Sequence, residues 1–232
     1  MNIRILELTE GAAAARGLTV IIDVFRAASL EYYLADMGAA QIRPVGSVED
    51  TFALGKRIPG SLLIGERGGV MVEGFDYGNS PSSVRREDIR GKTVLHTTSA
   101  GTQGIVHASG ADEIIWGSLV GAKAAAEYIR RKDPQEISLV AMGNGGIRRA
   151  DEDVLCAEYI RSLLTGSPVP GFRERLAGLR SGGGAHFFDP SLQHIYPEAD
   201  FHLCVRCDVF PFVLRVEKDG TGFISRRVPV PG

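Results

Sequence analysis

Apolar residues come in short runs separated by longer amphipathic stretches, and the two alternate along most of the chain. Leu18–Asp23 (LTVIID) reads as a buried strand ending on an acid, and Ala27–Met37 behind it has helical character. Gln41–Val45 is a second short run, followed by a helix over Val48–Arg57. Leu62–Glu66 is a third strand, again ending on an acid, and Gly68 to Pro81 is a glycine-rich loop. Lys92–His96 reads as a strand, Gly101–Ala108 as a helix and Glu113–Trp116 as a short strand. Ala122–Lys132 is an alanine-rich helix with basic residues in its last turn, where the helix dipole favours them. Ile137–Met142 is a strand that runs into Gly143-Asn144-Gly145-Gly146, and Asp151–Leu164 is the next helix. Strands alternating with helices of about 10–15 residues predict βαβ units. The fold class is therefore α/β, layered α/β/α with a largely parallel or mixed sheet.

The pattern changes at Gly166. Beyond it come prolines at 168, 170, 190, 197 and 211, glycines at 182–184, and strand-like runs near Leu203–Val209 and Phe212–Val216. Residues 1–165 are expected to form the main α/β region with the site. Residues 166–232 are expected to form a mixed, more β-rich portion packed on it and not independent of it. The chain has 232 residues, enough for a self-sufficient core.

Charge and composition narrow the classes. Lys and Arg number 26 against 28 Asp and Glu, a net charge of −2, so no basic field attracts nucleic acid. No apolar run approaches the ~20 residues of a membrane span, and MNIRILELTE lacks the pattern of a signal peptide. Three cysteines are too few for a disulfide scaffold, so a cytoplasmic setting is expected. A homodimer is the expected assembly. Glycine makes up 29 residues, well above the usual ~7%, an excess that belongs in turns and backbone-lined sites.

In open α/β sheets ligands bind beyond the carboxyl ends of the strands. Those ends carry Asp23 and Arg26, Glu66 and Arg67, Asp76 with Asn79 and Ser80, and Thr97, Thr98, Ser99 and Thr102. Asn144 follows in the glycine-rich turn, with Glu152 and Asp153 opening the next helix. Carboxylates at several strand ends can hold Mg²⁺ through oxygen, leaving waters and a phosphate to complete its shell. Arginine offers paired donors that match phosphate, carboxylate or sulfonate. The Thr-Thr-Ser-Ala-Gly-Thr segment opens a helix, a favourable place for an anion. Each residue alone has a plainer reading. Asp23 or Ser99 can serve as a helix cap, Asn79-Ser80-Pro81 as a turn, and Glu152 and Asp153 as first-turn acids. His96 stands out because it precedes the Thr-Thr-Ser run, whereas His107 reads as a helix-surface residue.

Other signatures are missing. There is no Walker A motif and no G-x-G-x-x-G after the first strand, which argues against a nucleotide-binding domain. There is no G-x-S-x-G elbow. Phe25 stands where an aspartate-nucleophile phosphatase carries its second aspartate. Cys204-Val-Arg-Cys207 lacks the further ligands of a zinc site and reads as structural.

Five segments together resemble the 2-phosphosulfolactate phosphatase family: Ile22-Asp23-Val-Phe-Arg26-Ala-Ala-Ser29, Gly65-Glu66-Arg67-Gly, Gly74-Phe75-Asp76-Tyr-Gly78-Asn79-Ser80-Pro81, Gly91-Lys92-Thr-Val-Leu-His-Thr97-Thr98 and Glu152-Asp153-Val-Leu-Cys156-Ala157. The resemblance runs from about residue 18 to 165, with a weaker echo around Asp200–Val213. It implies an α/β hydrolase that uses Mg²⁺ to remove phosphate from 2-phospho-3-sulfolactate, a step in coenzyme M biosynthesis. On that reading the metal ligands come from Asp23, Glu66, Asp76, Glu152 and Asp153. Arg26 and Arg67 bind acidic groups of the substrate, and Asp23 or Asp153 handles the attacking water. Asn79, Ser80, Thr97, Thr98, Ser99, Thr102 and Asn144 contact the substrate. Where family members carry Thr-Thr-Asn-Gly-Thr, this chain has Thr97-Thr98-Ser99-Ala100-Gly101, a difference that points to a branch with an altered substrate. An anionic-metabolite binding protein and a non-phosphatase enzyme on the same scaffold are the competing readings.

Overall fold

The run LTVII becomes β2 (Gly17–Ile22), buried at every position, in a computed structural model of the chain that describes residues 1–231. Val20 and Ile22 face one apolar cluster and Ile21 the other, as the two-residue repeat of a strand requires. A strand apolar on both faces must be covered on both sides. β7 (Ala111–Gly117) and β8 (Glu136–Ala141) flank β2 as parallel neighbours. β1 (Asn2–Glu7) runs parallel outside β8.

A second parallel block holds β3 (Gln41–Pro44), β6 (Thr93–Thr97) and β4 (Leu62–Arg67). The two-residue β5 (Val70–Met71) turns back along β4. The blocks are joined by a hairpin from the end of the chain, β9 (Phe212–Lys218) and β10 (Phe223–Pro229). β9 pairs antiparallel with β7, and β10 pairs antiparallel with β3. The order across the ten-stranded sheet is β1-β8-β2-β7-β9-β10-β3-β6-β4-β5. Three antiparallel pairings in succession make the two blocks run oppositely along the ladder. α2 (Ala27–Met37) touches both β3 and β7 and so spans the two blocks.

α6 (Ala122–Lys132) and α7 (Asp151–Thr165) pack on the outer face, over Leu18, Leu139 and Val213. α1 (Leu8–Ala14), α2 and α5 (Gly101–His107) fill the other face through Ala12, Leu30 and Ile105. The result is the layered α/β/α architecture with a mixed sheet. α3 (Val48–Arg57) shows why such helices form where they do. Ser47 Oγ accepts the Asp50 N–H at 3.0 Å, a cap worth about 1 kcal/mol, and acids open the helix while Lys56 and Arg57 close it. α2 ends because Gly38, at φ 91°, takes the left-handed turn.

Two stretches differ from the sequence reading. Leu203–Val209, expected as a strand, is the end of α9 (Glu198–Cys204) followed by a loop. Phe201 and Cys204 are buried three residues apart, a helical spacing that a run this short does not distinguish from a strand. The strands of the C-terminal portion are confined to the hairpin. Between α7 and the hairpin lie short helical pieces only: α8 (Phe172–Gly178), 3₁₀ turns at Ala185–Phe188 and Pro190–Leu192, and α9. The short α4 (Arg86–Ile89) sits earlier, with Ile89 in the inner core. Among the described residues no helix is long and apolar enough to cross a membrane.

Candidate active site

Carboxyl ends from both sheet blocks meet at a cavity of about 460 Å³. β2 delivers Asp23, Phe25 and Arg26; β4 and its turn deliver Glu66 and Gly69; the loop after β6 delivers Ser99. The turn after β8 brings Asn144, and the first turn of α7 brings Glu152 and Asp153. The helical segment before the hairpin closes the remaining side with Gly183, His186 and Tyr196.

The acids are held by backbone N–H groups. Asp153 Oδ1 accepts from Val24 N at 2.7 Å, and its Oδ2 accepts from Gly143 N at 2.8 Å. Asp23 Oδ1 accepts from Ala27 N at 3.1 Å. Glu66 takes the N–H of Ser99 on Oε1 and that of Gly69 on Oε2, each at 2.6 Å. Asp23, Glu152 and Asp153 are 6%, 7% and 3% exposed. Burial raises the Asp23 carboxyl to about 6, with the Glu66 charge adding to the rise and the Ala27 hydrogen bond opposing it. Burial, then Asp23 and Asp151, raise Glu152 to about 7. Asp153 is raised as well, by burial first and then by Asp23 and Glu152. Glu152 Oε2 is buried with no hydrogen-bond partner among the described residues.

Like charges forced together out of water raise each other's pKa, and a cation relieves them. The donors are hard carboxylate oxygens, and the partnerless Glu152 Oε2 is an oxygen in want of one. The residues therefore fit Mg²⁺. No three His, Cys, Asp or Glu among the described residues form a finished cage. Mg²⁺ does not require one, since it is usually held by one or two carboxylates, waters and a substrate phosphate.

The structure distributes the other sequence candidates unevenly. Asp76 does not line the cavity: it is exposed, and its Oδ2 accepts the Leu63 N–H at 2.8 Å. Arg67 points elsewhere, donating to Thr97 Oγ1 at 2.9 Å and to the Glu66 carbonyl. Thr98 and Thr102 close on each other, with Thr102 Oγ1 accepting the Thr98 N–H at 2.9 Å. Ser80 Oγ donates to Asp200 Oδ1 at 2.9 Å. Asp23, Arg26, Glu66, Asn79, Ser99, Asn144, Glu152 and Asp153 are brought together.

Arg26 is partly committed. Its Nη1 donates to Asp200 Oδ2 at 2.8 Å and to the Ile195 carbonyl at 2.9 Å. Its Nη2 donates to the Gly69 carbonyl at 3.3 Å, and its guanidinium lies 4.9 Å from the Tyr196 ring centroid. Burial, followed by the Arg26 charge, lowers the pKa of His186, so this residue stays neutral beside the cavity at physiological pH. Asp200, fully buried, also accepts the Ser82 N–H at 2.9 Å. It was not a candidate from sequence; the signal for it was the weaker resemblance that begins at its position.

Residues 3–177 match the family described as 2-phosphosulpholactate phosphatase. A probable 2-phosphosulfolactate phosphatase of Bacillus subtilis (strain 168) is 28% identical over 222 residues, 95% of this chain and 96% of that protein. One from Caldicellulosiruptor saccharolyticus is 42% identical over 150 residues, 62% of this chain and 61% of that protein. One from Carboxydothermus hydrogenoformans is 40% identical over 146 residues, 62% of this chain and 59% of that protein. The segments that carry the buried acids, from Asp23 to Asp153, lie inside the family match. The chain belongs to the 2-phosphosulpholactate phosphatase family.

Proposed function

We propose that this protein is a Mg²⁺-dependent phosphatase that hydrolyses the phosphate monoester of 2-phospho-3-sulfolactate or a related 2-phosphorylated hydroxy acid. Its place would then be a step of coenzyme M biosynthesis. The observation that carries the reading is the gathering of Asp23, Glu152 and Asp153, buried and mutually repelling, beside Arg26 in one cavity. A substrate bearing phosphate, carboxylate and sulfonate is itself strongly anionic. It cannot enter such a cavity without cationic compensation.

Asp23, Glu152 and Asp153 would hold the ion, which supplies charge neutralisation at the phosphoryl and leaving oxygens. Arg26, which lines the cavity, binds an acidic group of the substrate. Asn79 adds hydrogen bonds around the same anion, while Ser99 holds Glu66 in place through its N–H and hydroxyl. Asp23, with Oδ1 engaged by Ala27, also orients the attacking water.

The test is phosphate release from 2-phosphosulfolactate and 2-phospholactate, with Mg²⁺ and with EDTA. Metal-dependent release from either is expected, and Asp23→Asn should lower kcat by about 100-fold or more. The ratio of the two rates measures what the sulfonate contributes. Absence of release from both overturns the reading, as does full activity in EDTA for its metal.

A further inference from the structure

Behind the cavity the side chains of Asn79, His96, Glu31 and Ser225 form an unbroken line of hydrogen bonds. His96 Nε2 lies 3.1 Å from Asn79 Oδ1, and His96 Nδ1 lies 3.0 Å from Glu31 Oε1. Ser225 Oγ donates to Glu31 Oε2 at 2.6 Å and accepts from Trp116 Nε1 at 2.9 Å. Glu31, His96 and Trp116 are fully buried. Of the whole line, only Asn79 reaches the cavity.

Burying an imidazole and a carboxylate is costly, and apolar residues of similar volume would fill the space at less expense. What the polar line supplies is direction. An amide oxygen can only accept, so His96 Nε2 donates to Asn79 Oδ1. Asn79 Oδ1 is therefore turned inward, and its Nδ2–H₂ group is left on the side of the cavity. We propose that His96 is a positioning residue for anion recognition: it fixes the Asn79 amide so that N–H donors, and no acceptor, face the substrate. The proposal rests on the cavity being the substrate site. An amide released from His96 is free to turn its oxygen toward an anion and must be ordered again at each binding event.

Four proteins decide it: the wild type, Asn79→Ala, His96→Asn and the double variant. His96→Asn keeps a donor for Glu31 but is too short to reach Asn79. Each is measured with Mg²⁺ for kcat and KM on 2-phosphosulfolactate, and for the Kd of inorganic phosphate by calorimetry. Asn79→Ala should raise KM and Kd by about 30-fold, the loss of one hydrogen bond to a charged group. His96→Asn should raise both by about tenfold, with kcat nearly unchanged, and should add nothing in the Asn79→Ala background. His96→Gln, whose longer amide reaches Asn79, should restore binding. An equal loss from His96→Asn in both backgrounds, or no loss at all, overturns the proposal.

A wild type that binds phosphate without turnover refutes the phosphatase reading alone, and the phosphate cycle then decides the role of His96. A wild type that does neither overturns both. Should His96→Asn not fold, the Asn79 side-chain amide signal in nitrogen-correlated NMR spectra, identified by its loss in Asn79→Ala, decides instead. It should move when phosphate is added to the wild type, and an unmoved signal overturns the proposal.

Discussion

Asp23 and Glu152 sit at about 6 and about 7, above their usual 3.8 and 4.5. The folded chain therefore holds protons that the unfolded chain has already released. Their contribution to stability is fully present below about pH 4 and is lost as pH rises through 6 to 7. A shift of two pKa units corresponds to about 2.7 kcal/mol, or about 5–10 °C for a domain of this size. Thermal unfolding in EDTA should therefore show Tm falling between pH 5 and pH 8, Mg²⁺ should cancel the fall, and Glu152→Gln should flatten it. A Tm in EDTA that rises over that interval would contradict the uncompensated cluster. The acids themselves were legible in the sequence because they follow strand ends, where α/β sheets place ligands. Asp76 met the same criterion and failed, since a carboxylate in a turn can equally accept a local N–H, here that of Leu63.

At the scale of elements, the segment between α7 and the hairpin acts as the cavity's fourth wall. Its glycines fit closely: a Cβ on Gly183 would stand 2.5 Å from Glu152 Oε2. The atom it meets is the end of a flexible side chain, so Gly183→Ala should fold normally and displace the carboxylate. The expected result is an unchanged Tm in EDTA with weaker Mg²⁺ binding by calorimetry, several-fold or more. Equal Mg²⁺ affinity would place Glu152 outside the metal site. Long periodic elements were read correctly from the chain; α2 and α3 have the bounds their patterns predicted. The fourth wall was not readable, because its helices have seven residues or fewer and their partners, such as Arg26 for Asp200, are distant in sequence. Ser225 was hidden for the same reason: its role depends on Glu31, 194 residues away.

For the molecule as a whole, the family match ends at residue 177, while the two central strands of the sheet begin at Phe212. Those strands join the β2 block to the β3 block within the sheet, β9 pairing with β7 and β10 with β3. Removing Phe212–Pro229 should abolish cooperative thermal unfolding and leave the chain sensitive to protease, whereas a shorter cut in the hairpin turn should not. A truncated chain with a sharp native-like transition would show that the blocks associate unaided.

The placement of that hairpin also fixes when the protein can exist. A ribosome makes β3 long before its neighbour β10, so β3 waits with one edge open until the hairpin follows, and an open strand edge invites pairing with other chains. Asp23 and Glu66 come from opposite blocks, so the cavity, too, is completed only once the hairpin that joins them has been made. A nascent chain stalled before the hairpin therefore lacks a finished cavity.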